Sequence, residues 1–428
     1  MKPLHITFAI SNFSRGGAGR TTLSRARGLI ARGHRVDLVS FDMHVDYPDE
    51  VPDGARLFVL GNAPHRATDI PGYHRLCKQI IPVGGRNHKW SDAIRLASAL
   101  KWHPMILPSK VWLQRARWIA GYIQQEKPDI ILPSLPKAKV STMLARCLVD
   151  NPPPVAPTIH GIIRKDRKCR RLRYQVLFLN AAQIVTVSKG VADSVSAQLG
   201  IPKRKVTTIY NPVVSSEIDK LKTQSPEHPW FVDNGPLVIL GCGGLTSRKG
   251  FSVLIRAFAR VSQQRPCRLI ILGDGELRGQ VEELVSELSL QEKVALPGWS
   301  DNPFSAMSRA ALFVLSSNYE GLGNVLIEAL ACGCPCVSTD CPSGPAEILQ
   351  DGKIGPLVPV GDHAALADAM LRTLNNPPDK QKLLDRAAFF STENSVDRYE
   401  ALIMRIVQQN TDGVSVELLP GLTNGKQA

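Results

Sequence analysis

A chain of 428 residues, 43% of them apolar, is long enough for two or three domains and excludes a disordered or fibrous protein. Residues 1–215 carry 33 Lys and Arg against 13 Asp and Glu, and the remainder 19 against 25, so a half at +20 precedes a half at −6. That asymmetry points to an anionic partner for the first half only: nucleic acid, a membrane surface or a phosphate-bearing acceptor.

The first apolar run, HITFAISNF from His5, is followed by a Gly-rich turn at Arg15 to Gly19, a helical stretch to about Arg32, then Gly33 and VDLVSF. Strand, glycine loop, helix and strand in that order predict a βαβ unit. Short β-like runs recur at Ile130 to Leu132, Ala156 to Ile159 and Ile184 to Val187. From Gly235 the pattern restarts: PLVILGCGG is a strand, FSVLIRAFARVSQQ a helix and RLIILGDG a strand. ELRGQVEELVSELSL then reads as helix, ALFVLSS as strand, GNVLIEALACG as helix and PCVSTD as strand. Alternation of this kind predicts α/β architecture, with two doubly wound parallel sheets in series. A domain over 1–210 is expected, then a linker near Asn211 to Asn234, a domain over 235–384, a helix about 385–410 packing back on the first domain, and a loose tail over 411–428. Ligands should meet the loops that follow strands.

No apolar run reaches the roughly 18 residues of a membrane-spanning helix, and HITFAI is too short for a signal-peptide core. A cytoplasmic protein, at most peripheral to the inner face of the cell membrane, is expected. Nine cysteines without repeated spacing fit a reducing compartment. Cys332, Cys334, Cys336 and Cys341 read as an apolar helix end turning into a strand rather than as metal ligands.

Three loops carry the chemistry. Arg15-Gly16-Gly17-Ala18-Gly19-Arg20-Thr21-Thr22 has the outline of a deviant P-loop, but Arg20 stands where a lysine should reach the terminal phosphates. The same glycines also suit a tight βα turn, or a loop whose helix N-terminus meets an anion. Gly243-Gly244-Leu245-Thr246-Ser247-Arg248-Lys249-Gly250 directly follows a strand, and bare backbone with two cations suits a diphosphate. In Ser316 to Ala331, Glu320 falls in a strand-to-helix loop, and Glu328, eight residues on, falls about two turns into an apolar helix. A carboxylate there needs a hydrogen-bonding partner such as a ribose diol.

From Gly235 to about Asp362 the chain resembles the C-terminal domain of the retaining glycosyltransferases of family 4, which have the GT-B fold. The resemblance rests on Gly243 to Gly250, on ILGDGEL ending at Leu277, on LPGW at 296–299, on Glu320 and Glu328 with seven residues between them, and on PCVSTDCPSGPAEIL. It covers the first half more weakly, through GGAGR and His160-Gly161. The resemblance implies two Rossmann-like domains facing across a cleft. It implies that Glu320 binds donor-sugar hydroxyls, that the backbone of Gly321, Leu322, Gly323 and Asn324 meets the diphosphate, and that Glu328 holds the ribose. Lys249 would neutralise the diphosphate beside Gly243. Where the family often has an arginine this chain has Gly244, leaving Arg248 as the nearest replacement. Gly298 and Trp299 would flank the base, and Gly16 and Gly17 would lie across the cleft. His160 reads equally as a structural residue or as a contact to the donor sugar.

On this resemblance the reaction is a retaining transfer of a hexose or N-acetylhexosamine, from a UDP-sugar by preference, to a glycan or lipid-linked acceptor in bacterial surface polysaccharide or lipopolysaccharide assembly. The absence of Asp-x-Asp agrees with a metal-independent reaction, and no cofactor is expected. A nucleotide-sugar epimerase of the same fold and a deviant P-loop ATPase are the alternatives. Residues 164–173, RKDRKCRRLR, and four tryptophans between Trp90 and Trp118 suit an anionic membrane interface or a solvated face. No helix-turn-helix, zinc-finger or RNP signal supports nucleic acid as the partner.

Overall fold

The computed structural model describes residues 2–13, 16–41, 50–60, 80–83, 110–163, 174–175, 177–231 and 235–411, with only the backbone path at 80–83 and 110. The basic run 164–173, Trp90, Trp102 and the tail from 412 lie outside the described residues. The chain divides into two compact units. The first comprises residues up to Val187, Val191–Ile209 and the chain from Ser395, and the second Ser188–Gly190 and Tyr210–Asn394.

In the first unit β1 (His5–Ile10), β2 (Arg35–Ser40), β3 (Arg56–Leu60), β4 (Ile80–Val83) and β5 (Ile130–Pro133) form a parallel sheet in the order β4-β3-β2-β1-β5. A second parallel sheet holds β6 (Thr158–Ile159), β7 (Ile184–Thr186) and β8 (Val206–Thr208). Single parallel bridges, Ile131 to Val155 and Ser134 to Thr158, continue the first sheet into it. All six residues of β1 are buried, its apolar Ile6, Phe8, Ala9 and Ile10 in the core and its polar His5 and Thr7 hydrogen-bonded to Asp37 and Tyr122. Helix α1 (Gly17–Ala31) covers this sheet with Leu23, Ala26 and Leu29. The C-terminal helix Thr392–Thr411 adds Val396, Tyr399, Leu402, Ile403 and Ile406 to the same core. Arg32 pairs with Asp397 and Glu400, and His34 Nε2 lies 3.0 Å from Glu400, which fixes how that helix seats.

Asp37, fully buried on β2, is held by four hydrogen bonds. His5 Nε2 lies 2.7 Å from its carboxylate, Arg56 donates from Nε and Nη2 at 2.8 and 2.7 Å, and the Tyr122 hydroxyl donates at 2.6 Å. Burial alone would push this carboxyl up; the bonds from His5, Arg56 and Tyr122 outweigh it and bring it to about 2.

The second unit is a six-stranded parallel sheet of β9 (Leu237–Cys242), β10 (Cys267–Leu272), β11 (Val294–Gly298), β12 (Leu312–Leu315), β13 (Cys336–Thr339) and β14 (Leu357–Val358), in the order β11-β10-β9-β12-β13-β14. Helix α2 (Phe251–Gln264) spans the run FSVLIRAFARVSQQ and buries Leu254, Ile255, Phe258 and Val261 against it. Because β9 and β12 are neighbours while the chain winds outward from them in opposite directions, the sheet has its switch point between their carboxyl ends. The loops at that point carry Lys249 and Glu320. Cys332 ends the helix Asn324–Ala331, Cys336 opens β13, and the thiols of Cys334 and Cys336 donate to the carbonyls of Ala310 and Cys334. These cysteines are interior packing, and burial raises their thiols far above the ordinary range.

Candidate functional site

The loop after β9 turns on two glycines. At Gly250, φ is +61° and a Cβ would stand 2.2 Å from the Ser316 carbonyl. At Gly243, φ is +147° and a Cβ would stand 2.9 Å from Lys249 Cε, so the bare backbone there makes room for the lysine stem. The loop is latched to the one after β12: Asn318 N donates to Arg248 O at 2.8 Å, Asn318 Nδ2 to Ser247 O at 2.7 Å, and Ser316 Oγ to Lys249 O at 2.9 Å.

This brings Lys249 and Glu320 together, each less than a tenth exposed. Lys249 Nζ donates to Glu320 Oε1 at 2.7 Å, and Ser317 Oγ donates to the same oxygen at 2.8 Å. Arg248 reaches the other oxygen, Oε2, only at 3.5 Å, which leaves Oε2 with capacity to accept from a hydroxyl. The lysine likewise keeps two of its three protons for another acceptor. Burial would raise the Glu320 carboxyl; the charges of Lys249 and Arg248 and the two short hydrogen bonds overcome it, so the group stays ionised through the ordinary carboxylate range. The side chain of Arg248 is 45% exposed and stands at the rim.

Glu328 lies less deep in its helix than its spacing from Glu320 predicts. The helix begins only at Asn324, so Glu328 is its fifth residue, one turn in rather than two. The preceding Gly323, at φ +94°, cannot continue a helix and caps it without a side chain. Leu326 N donates to Gly323 O at 2.9 Å, which leaves the backbone N–H groups of Asn324 and Val325 without an intrahelical acceptor, while the Asn324 side chain is tied to Asn211 at 2.8 Å. Glu328 and Lys249 both act electrostatically on Cys242 at the end of β9, which places all three at one strand end. Burial first, then the Glu328 charge, raise that thiol to about 12.

Residues that sequence reasoning missed set the loop's shape. The Gly321 carbonyl accepts from Ser188 Oγ at 2.6 Å and Ser343 Oγ at 2.8 Å, which are themselves 2.7 Å apart. Thr339 Oγ1 donates to Ser317 O at 2.6 Å. Ser343 and Thr339 lie inside PCVSTDCPSGPAEIL, so their segment was visible although their roles were not. Ser188 and Asn211 gave no local signal.

Gly298 ends β11, accepting from Gly273 N at 2.7 Å, and Trp299 follows it, 48% exposed with Nε1 donating to Asp301 at 3.0 Å. Gly16, Gly17 and His160 belong to the first unit. Gly16 precedes α1 in extended backbone and Gly17 opens it. The P-loop outline fails there: Arg20 pairs with Glu50 at 3.1 Å, and the hydroxyls of Thr21 and Thr22 turn back on Ala18 O. His160 follows β6 with Nε2 3.3 Å from Ser134 Oγ. Burial, then the charges of Arg25 and Lys139, hold it well below the ordinary histidine range, so its imidazole is neutral at pH 7.

Comparison with known proteins places these two units. Residues 15–217 match the family described as Glycosyltransferase Family 4, and residues 227–389 match Glycosyl transferases group 1. A lipopolysaccharide core biosynthesis glycosyltransferase of Rhizobium meliloti is 30% identical over 291 residues, covering 65% of this chain and 77% of that protein. The chain belongs to the family 4, group 1 glycosyltransferases. An N-acetylgalactosamine-N,N'-diacetylbacillosaminyl-diphospho-undecaprenol 4-alpha-N-acetylgalactosaminyltransferase of Campylobacter jejuni is 33% identical over 201 residues, 47% of this chain and 53% of that enzyme. Anabaena HepE, solved in complex with UDP and glucose, superposes with a TM-score of 0.61 at 20% identity, covering 97% of this chain and 100% of that one. The likeness shows the fold of the family 4 glycosyltransferases, two parallel-sheet Rossmann-like domains as in GT-B enzymes.

Proposed function

We propose that this glycosyltransferase moves a hexose or N-acetylhexosamine from a UDP-sugar to a glycan or lipid-linked acceptor, with retention and without a metal ion. The observation that carries the reading is the Lys249–Glu320 pair at the switch point of the second sheet, beside the open N-terminus of the helix that bears Glu328. Lys249 meets the diphosphate with its two remaining protons, and the helix N–H groups of Asn324 and the backbone at Gly321 to Gly323 meet it from the other side. Glu320 Oε2 accepts from a sugar hydroxyl, Glu328 accepts from the ribose diol, and Gly298 with Trp299 borders the base.

The chemistry follows from charge. The bond between the anomeric carbon and the phosphate oxygen breaks, negative charge gathers on the leaving UDP, and the sugar gains oxocarbenium character. Lys249 and the helix end stabilise the first. The acceptor oxygen bonds the anomeric carbon on the face that UDP leaves, and its proton passes to the departing phosphate, so no separate base is required.

The Rhizobium relative is named for lipopolysaccharide core biosynthesis and the Campylobacter relative for a diphospho-undecaprenol acceptor, which supports surface-glycan assembly as the setting. No helix of the described residues is long and apolar enough to cross a membrane. Peripheral contact through the basic first half is therefore the mode proposed. At the start of the helix Lys110–Glu126, Val111 is 55% exposed and Arg115 lies over the Trp112 ring.

The test is a transfer assay in EDTA with UDP-, GDP-, ADP- and dTDP-sugars and a lipid extract as acceptor, followed by NMR of the product anomer. Transfer from a UDP-sugar with the donor's anomeric configuration is expected. Release of an epimerised nucleotide without acceptor, or transfer that EDTA abolishes, would overturn the proposal.

A further inference from the structure

A second polar cluster sits at the carboxyl ends of the first sheet, where β1 and β5 are neighbours and that sheet has its own switch point. Ser11 leaves β1, Ser134 leaves β5 and His160 leaves β6. Lys139 stands in the first turn of the helix Pro136–Ala145, 6% exposed, and Arg25 stands on α1, 1% exposed, with its guanidinium carbon 4.5 Å from the centre of the Tyr399 ring. Both cations act on His160.

The ammonium of Lys139 makes no hydrogen bond and no ion pair with any described residue, and burial alone brings it down to about 8. Ser11 Oγ is also buried without a partner. Among the described acids of this unit, Asp37 is engaged by His5, Arg56 and Tyr122, and Glu400 by Arg32 and His34. A buried lysine that no described residue neutralises is less stable than an apolar side chain of the same length, and an anion bound there would offset that cost. At Gly161, next to His160, a Cβ would meet no described residue within 4 Å.

We propose that Lys139, with the neutral imidazole of His160 and the hydroxyls of Ser11 and Ser134, forms a site for a phosphate group carried by the acceptor. The word acceptor rests on the transferase reading above; the anion site does not. The phosphate can belong to a phosphorylated sugar or to an isoprenoid lipid, and the test separates them.

Melting of the full chain is measured in saturating UDP, with sodium phosphate, glucose 1-phosphate or geranyl phosphate added against sodium chloride of equal ionic strength. At five times its dissociation constant a phosphate should raise the melting temperature of a chain this long by about 1–2 °C. Lys139→Met keeps the length of the stem and should lose that rise, while Lys249→Met should keep it and lose the rise produced by UDP. A larger response to glucose 1-phosphate assigns the group to a sugar, and one to geranyl phosphate assigns it to a lipid. An equal phosphate response in Lys139→Met overturns the proposal. Should that variant fail to fold, Lys139→Gln serves the same comparison. If UDP gives no shift in the native chain, the donor reading fails, and the response at Lys139 is judged by itself.

Discussion

The resemblance sets Gly244 where the family often has an arginine, and the structure has room there for a side chain. Its backbone avoids the left-handed region, and a Cβ there would meet nothing nearer than the Asp274 carbonyl at 3.6 Å. Lys249 is then the single buried cation at the pair with Glu320, and Arg248, at 3.5 Å and half in solvent, is a weak second. Gly244→Arg should fold and bind UDP about tenfold tighter, the gain of one charge-assisted hydrogen bond. Unchanged affinity by calorimetry would mean that the diphosphate does not pass that point. That Lys249 and Glu320 come together was legible as two loops that follow strands, one holding a lysine among glycines and the other a carboxylate. The serines were not legible, since Ser188 and Ser343 act through a carbonyl 133 and 22 positions away, and nothing local marks a hydroxyl for that task.

Whole elements followed their periodicity. The helix Phe251–Gln264 matches its apolar run end to end, and the buried parallel strands read as continuous apolar stretches. Helix α1 begins at Gly17, within the Arg15 to Gly19 stretch that reads as a turn, and ends at Ala31 as its pattern predicts. The helix of Glu328 starts later than expected, because a positive-φ glycine rather than hydrophobic pattern sets its first turn. The buried network around Asp37 belongs to this scale, since it ties β2 to β1 and β3 and to the helix Lys110–Glu126 through Tyr122. Its carboxyl is lowered to about 2 from an unfolded value near 3.9, so the unfolded chain binds more protons and stability rises with pH across that interval. The contribution, about 2–3 kcal/mol, is present above pH 4 and is lost as pH falls toward 2. Acid melting of Asp37→Asn should therefore be flatter between pH 4 and 2 than that of the native chain. Parallel curves would show that another acid governs the transition.

At the scale of the molecule, charge separates the two units as sequence composition does. The acidic second half holds the paired lysine and carboxylate proposed for the donor, and the basic first half holds Lys139, buried and without a partner among the described residues. The return of the C-terminal helix into the first unit's core closes the chain on itself, and its five buried side chains are as much a part of that core as β1. Composition announced an anionic partner for the first half without naming it, because net charge counts solvated and buried cations alike. Lys249 and Glu328 are proposed to hold the uridine diphosphate, with Glu320 left for the sugar it carries. Calorimetric titration of UDP in EDTA into the native chain, Lys249→Met and Glu328→Ala tests this most directly. Binding by the native chain, weakened at least tenfold in each variant, is the result predicted. Native-like affinity in both variants, or no binding without a divalent cation, would contradict it.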